Sequence, residues 1–351
     1  HERGAMSRFV KGMGVALLTL VLIALCAWGV LAIYYSDLSS GLLRTVLAAV
    51  FGVLGLLAVY AFVLGPWRWP ATCAFLGIFL AVVAWWTTIE PSNDRGWRPE
   101  VARLPYATQD GNRITLHDIR DFDYRSETDF TPRYYDKTFD LDKLDSVDLL
   151  ASYWMGPAIA HTFVSFGFGG RDYVAMSAEM RSTPGEGYSP IKGLFKQYEL
   201  IYVVGDERDL IGLRTTYRKD PPEDVYLYRV RAPIESLRRF FMDYIRQINA
   251  LAEQPEFYNT LTTNCTTNLL LHTRVNPGHP RYSWKVLLSG YFAEYAYEEG
   301  LLDTDLPFAE LRKRSRIKVA EAADAAADFS QRIRADLPNP TTVRTGTGRA
   351  E

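Results

Sequence analysis

Cys265 sits in the run TLTTNCTTNLLLH, Thr260 to His272, in which Thr262, Thr263 and Asn264 are all helix-capping types and a leucine run follows. That order places Cys265 in the first turn of a helix. There, unpaired backbone N–H groups and the helix dipole favour a thiolate. The same N–H groups could hold the oxyanion formed when a thiolate attacks a carbonyl. The alternative is a buried structural cysteine near a helix start. A thiol nucleophile needs a base, and the histidines differ in their fitness for it. His1 belongs to HERGA, which precedes Met6 and reads as a tag remnant. His279 lies in a Gly-Pro loop, and His117 stands among Asp118, Arg120 and Asp121 like a solvated strand end. His272 shares the helix face of Cys265, but two turns separate them by roughly 10 Å. His161 remains.

His161 opens HTFVSFGF, in which Thr162, Val164, Phe166 and Phe168 alternate with His161, Phe163, Ser165 and Gly167. In the next run, YVAMSAEM, Tyr173, Ser177 and Glu179 share one face. The two polar faces coincide only when paired positions sum to an even number. A three-residue loop at Gly169–Arg171 pairs Phe168 with Asp172, and His161 then falls opposite Glu179. Glu179 is therefore the first choice for orienting the imidazole, with Ser177 second and Ser165 and Asn264 in supporting places. A satisfied strand histidine beside a surface glutamate is the competing reading. Trp154, Met155, Gly156 and Pro157 lead into His161 and could wall an acyl groove, although core packing explains Trp154 equally well.

The elements that carry these residues read as an α+β domain with a mainly antiparallel sheet. Strands are expected at Arg113–His117, Val147–Trp154, His161–Phe168, Tyr173–Met180, Leu200–Val204 and Val225–Val230. Pro233 to Glu253 has the helical face Ile234, Leu237, Phe241, Tyr244, Ile248 and Leu251. Ahead of the domain stand three apolar runs, Val10–Ile33, Leu42–Leu64 and Thr72–Trp86, each near the roughly 20 residues that cross a bilayer. Tyr34, Tyr35, Trp67, Trp69, Trp85 and Trp86 mark their ends. Arg8, Lys11 and Arg68 put the N-terminus on the cytoplasmic side, so three crossings leave the domain outside. The expected organisation is a tag remnant and cytoplasmic N-terminus over 1–9, transmembrane helices over 10–90, a periplasmic domain over 91–306, a further helix over 307–336 and a flexible tail over 337–351.

With 39 Lys and Arg against 41 Asp and Glu, the net charge of −2 gives no basic excess for nucleic acid. Cys26 and Cys73 lie in apolar runs, so Cys265 has no partner in the domain, and a lone thiol in an oxidising compartment reads as reactive. Asp206, Glu207 and Asp209 with Arg208 read as a solvated ion-pair cluster rather than a metal site. Arg312, Lys313, Arg314, Arg316 and Lys318 read as a solvated helix face, with anionic headgroups as the alternative.

His161 ahead of Cys265, with Asn264 before the cysteine, resembles the permuted papain-like, NlpC-type superfamily. The segments NDRGWRPEVARLP, FDYRSETDFTPRY, SYWMGPAIAHTFVSFGF, YELIYVVGDERDLI and TTNCTTNLL resemble, in order, the periplasmic domain of the Lnb-type bacterial lipoprotein N-acyltransferases, over most of Asn93 to Leu306. The resemblance implies no cofactor and a catalytic Cys265–His161 pair. It implies thioester chemistry, with membrane phospholipid as acyl donor and a lipoprotein amino group as acceptor, at a bacterial inner membrane. In the Lnb type the membrane segments follow the domain; here they precede it, a departure that bears on the acceptor. A cysteine hydrolase on the same scaffold, either a phospholipase or a peptidase or amidase on cell-wall peptides, and an idle membrane-tethered binding module are the competing functions.

Overall fold

The computed structural model describes residues 2–318 and 328–337. It divides into two compact units, one of residues 1–92 with Tyr188–Tyr198, the other of Asn93–Gly187 with the chain from Glu199 onward.

The first unit holds α1 (Glu2–Tyr34), α2 (Gly41–Leu64) and α3 (Arg68–Thr87). Each contains a stretch long and apolar enough to cross a membrane: Phe9–Tyr34, Gly41–Leu64 and Arg68–Thr87. These coincide with the three apolar runs, although α3 begins earlier than its run, at Arg68. Ser40 caps α2 by accepting from the Leu43 N–H. Small residues let the helices close on one another. A Cβ on Gly55 would lie 2.2 Å from Cys26 Sγ, and one on Gly29 would lie 2.3 Å from Phe51. In the 188–198 segment, Lys196 Nζ donates to the Trp86 and Ile89 carbonyls at 3.0 and 2.9 Å, closing the end of α3.

The second unit is α+β. Its strands are β1 (Tyr106–Asp110), β2 (Arg113–Arg120), β3 (Asp123–Tyr124), β4 (Phe130–Thr131), β5 (Tyr134–Asp140), β6 (Leu144–Tyr153), β7 (Ala160–Phe168), β8 (Asp172–Arg181), β9 (Glu199–Gly205) and β10 (Asp224–Arg229). Its helices are α4 (Glu207–Gly212), α5 (Ile234–Glu253), α6 (Cys265–Thr273), α7 (Trp284–Leu287), α8 (Phe292–Glu298), α9 (Phe308–Ser315) and α10 (Phe329–Arg332). The main sheet runs β1-β2-β9-β8-β7-β6-β10, with β5 added on β2. Every pairing is antiparallel except the single parallel contact of Arg120 with Gly205.

Strand alternation sorts the core to the two sheet faces. From β7, Phe166 and Phe168 pack edge-on against Phe241 of α5. Phe163 points the other way, into a core with Leu210, Ile211, Phe329 and Ile333. Burying one such phenylalanine stabilises by about 1.5–3 kcal/mol. The apolar spacing of α5 delivers Leu237, Phe241, Tyr244, Ile248 and Leu251 to the sheet as its sequence pattern requires.

Three expectations need correction. The helix expected over 307–336 stops at Ser315: the chain then runs extended beside β10, with Arg316 bridged to Tyr226 and the Ile317 N–H bonded to the Val225 carbonyl at 2.9 Å. Ile317, a β-branched residue suited to extended backbone, is buried there in the core. Residues 319–327 and 338–351, the latter nearly all of the expected tail, lie outside the described residues. The acidic cluster is not solvated. Asp206 caps α4, while Glu207 and Asp209 are buried, each on an arginine from a distant segment: Arg334 for Glu207 and Arg120, at 2.7 Å, for Asp209. The basic run is solvated as expected at Lys313, Arg314, Arg316 and Lys318, which are all exposed, but Arg316 and Lys318 lie beyond the helix and Arg312 is half-buried over Tyr153 and Tyr226.

Candidate active site

Helix α6 starts at Cys265 because Asn264, in extended conformation at φ −81° and ψ 177°, caps it. Asn264 Oδ1 accepts from both the Thr266 and Thr267 N–H groups at 2.9 Å, and its amide donates to the Thr260 carbonyl at 2.7 Å. The cap that locates the cysteine thus occupies two of the first-turn donors. The expectation that those amides could hold an oxyanion is corrected for Thr266 and Thr267.

The sheet opens where Cys265 approaches it. The β7–β8 ladder runs from Phe168↔Asp172 to Val164↔Met176 and ends there. Beyond that point β7 continues to pair with β6, through Ser152↔His161 and Tyr153↔Ala160. On its own far side β8 continues to pair with β9, as far as Arg181↔Glu199. The Thr162 backbone, released from the ladder, helps to favour the Cys265 thiolate. The Thr162 and Thr266 hydroxyls meet at 2.9 Å, and Cys265 Sγ lies 3.7 Å from Thr266 Oγ1. The parted end thus leaves a way between the layer that carries Cys265 and the strand face that carries His161.

His161 Nε2 lies 2.7 Å from Ser177 Oγ and 3.2 Å from Glu179 Oε1. The Ser177 hydroxyl donates its one proton to Glu179 Oε1 at 2.9 Å, so its oxygen can only accept from the ring. Nε2 then carries a proton, Nδ1 is left for the Cys265 thiol, and the charges of ring and thiol favour one another. Both sequence candidates for the orienting group, Glu179 and Ser177, thus reach the same ring nitrogen.

Glu179 is itself held. Arg214 Nη2 donates to Glu179 Oε1 at 2.9 Å, and the guanidinium lies over Phe163 at 4.9 Å. Arg214 is buried on a π-helical turn, Leu213–Tyr217, the wide kind of turn that recurs at functional sites. Beyond it Glu223 accepts from Arg218 at 2.6 Å and from the Ser152 hydroxyl. Arg214, Arg218 and Glu223 were missed by the sequence reading. The run RTTYRKDPPED holds them, but only the fold brings them to Glu179.

The electrostatics follow from this packing. Burial disfavours the imidazolium of His161, but the charges of Glu179 and Cys265 outweigh it and lift the ring to about 9. Burial likewise opposes the Cys265 thiolate, yet the His161 charge and hydrogen bonds from His161, Thr162 and Thr266 bring it down to about 7. Burial would push the Glu179 carboxyl up, but His161 and then Arg214 and Arg218 hold it well below the usual carboxylate range. Between those two values the site holds a thiolate–imidazolium pair, the form that attacks a carbonyl and then protonates a leaving group.

The other candidates lie elsewhere. Ser165 donates to Glu207 inside the ion-pair cluster of Asp148, Glu207, Arg229 and Arg334, so it does not support the Cys265 site. Trp154 is half-buried just past β6. His272 is fixed between Tyr202 at 2.6 Å and Asp243 at 2.8 Å, and His117 pairs with Asp136 at 2.7 Å. One turn along α6 from Cys265, Leu269 helps to line an apolar cavity of about 200 Å³, together with Val164, Leu237, Phe240, Phe292 and Ala296.

Among known families, the one described as the Lnb N-terminal periplasmic domain matches residues 130–290, a span that contains His161, Ser177, Glu179, Arg214 and Cys265. No curated protein and no solved structure matches the chain.

Proposed function

From the premise that this membrane protein carries an Lnb-type periplasmic domain, we propose that it is a thiol acyltransferase working through Cys265. The observation that carries the reading is the Cys265–His161 pair, with Ser177 and Glu179 on the far ring nitrogen. The Cys265 thiolate attacks an ester carbonyl of a phospholipid. As the tetrahedral intermediate collapses, the C–O bond breaks, His161 gives its Nδ1 proton to the departing alkoxide, and a lysophospholipid leaves a thioester on Cys265. A lipoprotein α-amino group then attacks that thioester. His161 takes the amine proton, the C–S bond breaks, and the thiolate is restored. Glu179 and Ser177 keep Nε2 protonated, so that Nδ1 is the nitrogen that exchanges protons. The permuted papain-like arrangement supplies the helix-borne cysteine and strand-borne histidine for this sequence.

The apolar cavity beside Leu269 favours a fatty acyl group over a cell-wall peptide, since its walls offer little for polar groups. The arginines near α1 and α3 orient the chain with its domain in the periplasm of a bacterial inner membrane. Mass spectrometry of the full chain incubated with phospholipid tests the reading. The expected result is an acyl-mass adduct on Cys265, absent in Cys265→Ser, that moves to an added diacylglyceryl-cysteine peptide amine. Failure to form the adduct overturns thioester chemistry, and release of free fatty acid with no amide in the presence of that peptide makes the protein a hydrolase.

A further inference from the structure

Helix α7 buries only Val286 and turns its larger side chains outward: Trp284 is 57% exposed and Leu287 41%. Tyr282 and Leu288 on either side are also exposed, so five successive apolar or aromatic positions of this loop leave one side chain for the core. A second loop, following β6, exposes Met155 at 62%. The two loops are fastened together. The Gly290 N–H donates to the Ala158 carbonyl at 3.0 Å, the Ala160 N–H to Ser289 Oγ at 2.9 Å, and the Tyr153 hydroxyl to the Gly290 carbonyl at 2.8 Å. There is no slack in the joint, because a Cβ on Gly290 would fall 2.1 Å from the Pro157 carbonyl oxygen. The joined loops lead directly into Ala160 and His161.

We infer that the Tyr282–Leu288 loop, with Met155 beside it, inserts into the bilayer interface and takes up phospholipid acyl chains next to the active site. Exposed apolar clusters of this kind mark interaction surfaces. The composition fits a lipid partner: Tyr and Trp favour the headgroup boundary, and Leu and Met the hydrocarbon below it. The loop's one cation, Lys285, is offset by ion pairs to Glu298 at 2.7 Å and Glu294 at 3.5 Å, so insertion does not require an uncompensated charge. The chain supplies the membrane itself, since only the short segment Thr88–Ser92 separates α3 from the start of this unit. This inference does not depend on the chemistry at Cys265.

The test uses the full chain in phospholipid nanodiscs doped with a phosphatidylethanolamine that carries a photoactivatable diazirine in one acyl chain. After irradiation and digestion, lipid adducts are expected on the Tyr282–Leu288 peptide as well as on α1–α3. The double variant Leu287→Asp, Leu288→Asp should lose at least five-fold of the loop adduct while the α1–α3 adducts stay constant, with an unchanged melting temperature. The inactive Cys265→Ser variant should label like the parent, which separates this result from failure of the acyltransferase reading. Adducts confined to α1–α3 would overturn the inference, as would a loop adduct that survives the double substitution. A cross-link between two copies through this loop with no lipid attached would assign the surface to a second chain instead.

Discussion

Replacing Glu179 by Gln keeps the shape of the site and removes its charge. The carboxylate stands 3.2 Å from His161 Nε2. At that distance and an effective dielectric constant of about 20, the attraction is worth at most about 5 kcal/mol. Ser177 Oγ remains at 2.7 Å to accept from the ring, and water can enter from the exposed side of Glu179, so a loss of about 1–2 pK units at the imidazole is the working figure. The imidazolium then deprotonates well below its present value of about 9. Cys265, losing the partner that holds it at about 7, titrates higher. The direction is fixed by charge: the parent's paired form is lost as pH falls through about 7 and as it rises through about 9. In Glu179→Gln both limbs close inward. At pH 7 roughly half of the parent thiol is ionised, and a rise of one unit would leave about a tenth. The assay is the pH profile of Cys265 thioester formation, with iodoacetamide alkylation followed in parallel to read the thiolate alone. If both limbs stay in place to within a few tenths of a unit, the carboxylate does not act on the ring. If Ser177→Ala moves them instead, the serine is the orienting group and the assignment to Glu179 fails.

Arg334→Met should lower stability by about 3–5 kcal/mol, because Glu207 keeps its burial and loses its cation; a thermal melt no different from that of exposed Arg246→Met would refute this. Ala296→Phe should fill part of the apolar cavity and shift thioester formation towards shorter acyl chains, at a packing cost of about 1–3 kcal/mol; an unchanged chain-length profile would show that the chain lies elsewhere. In intact cells, Asp110→Cys in a Cys73→Ser, Cys265→Ser background should react with a membrane-impermeant maleimide added from the periplasm, and protection until the membrane is opened would reverse the proposed orientation.

What could be read from the sequence follows how local each cause is. Asn264 and Cys265 were legible because a cap acts within three residues, and the structure seats Asn264 Oδ1 on the next two amides. The β7–β8 register was legible because the Gly-rich loop and strand alternation fix it together, and Phe168↔Asp172 follows. The end of that ladder was not legible: no residue of β7 or β8 announces that pairing stops at Val164, yet this is what frees the end of β7, with Thr162 and His161, from β8. Nor could a local pattern show that Glu207 and Asp209 are buried, since their cations arrive from positions 127 and 89 residues away. Arg214 illustrates the same limit, for it reaches Glu179 across 35 residues and only after a π-helical turn aims it there. The sheet order, with β9 between β2 and β8, likewise depends on long-range pairing that composition does not encode.

The ion pairs of Arg334 impose a clock on synthesis. Asp148 and Glu207 sit with their carboxylates buried, and Arg334 supplies a cation to both, although it follows Asp148 by 186 residues. At ordinary translation rates that separation is roughly 10–40 s. For the part of that interval that follows Glu207, 127 residues, β6 and α4 exist in the nascent chain while Glu207 lacks the group that lets it enter a core. The sheet around His161 therefore cannot condense to its final packing strand by strand as it emerges. A ribosome paused between Cys265 and Arg334 would leave the Cys265 thiol already made, on a domain still open enough to be handled by a chaperone or cut by a protease.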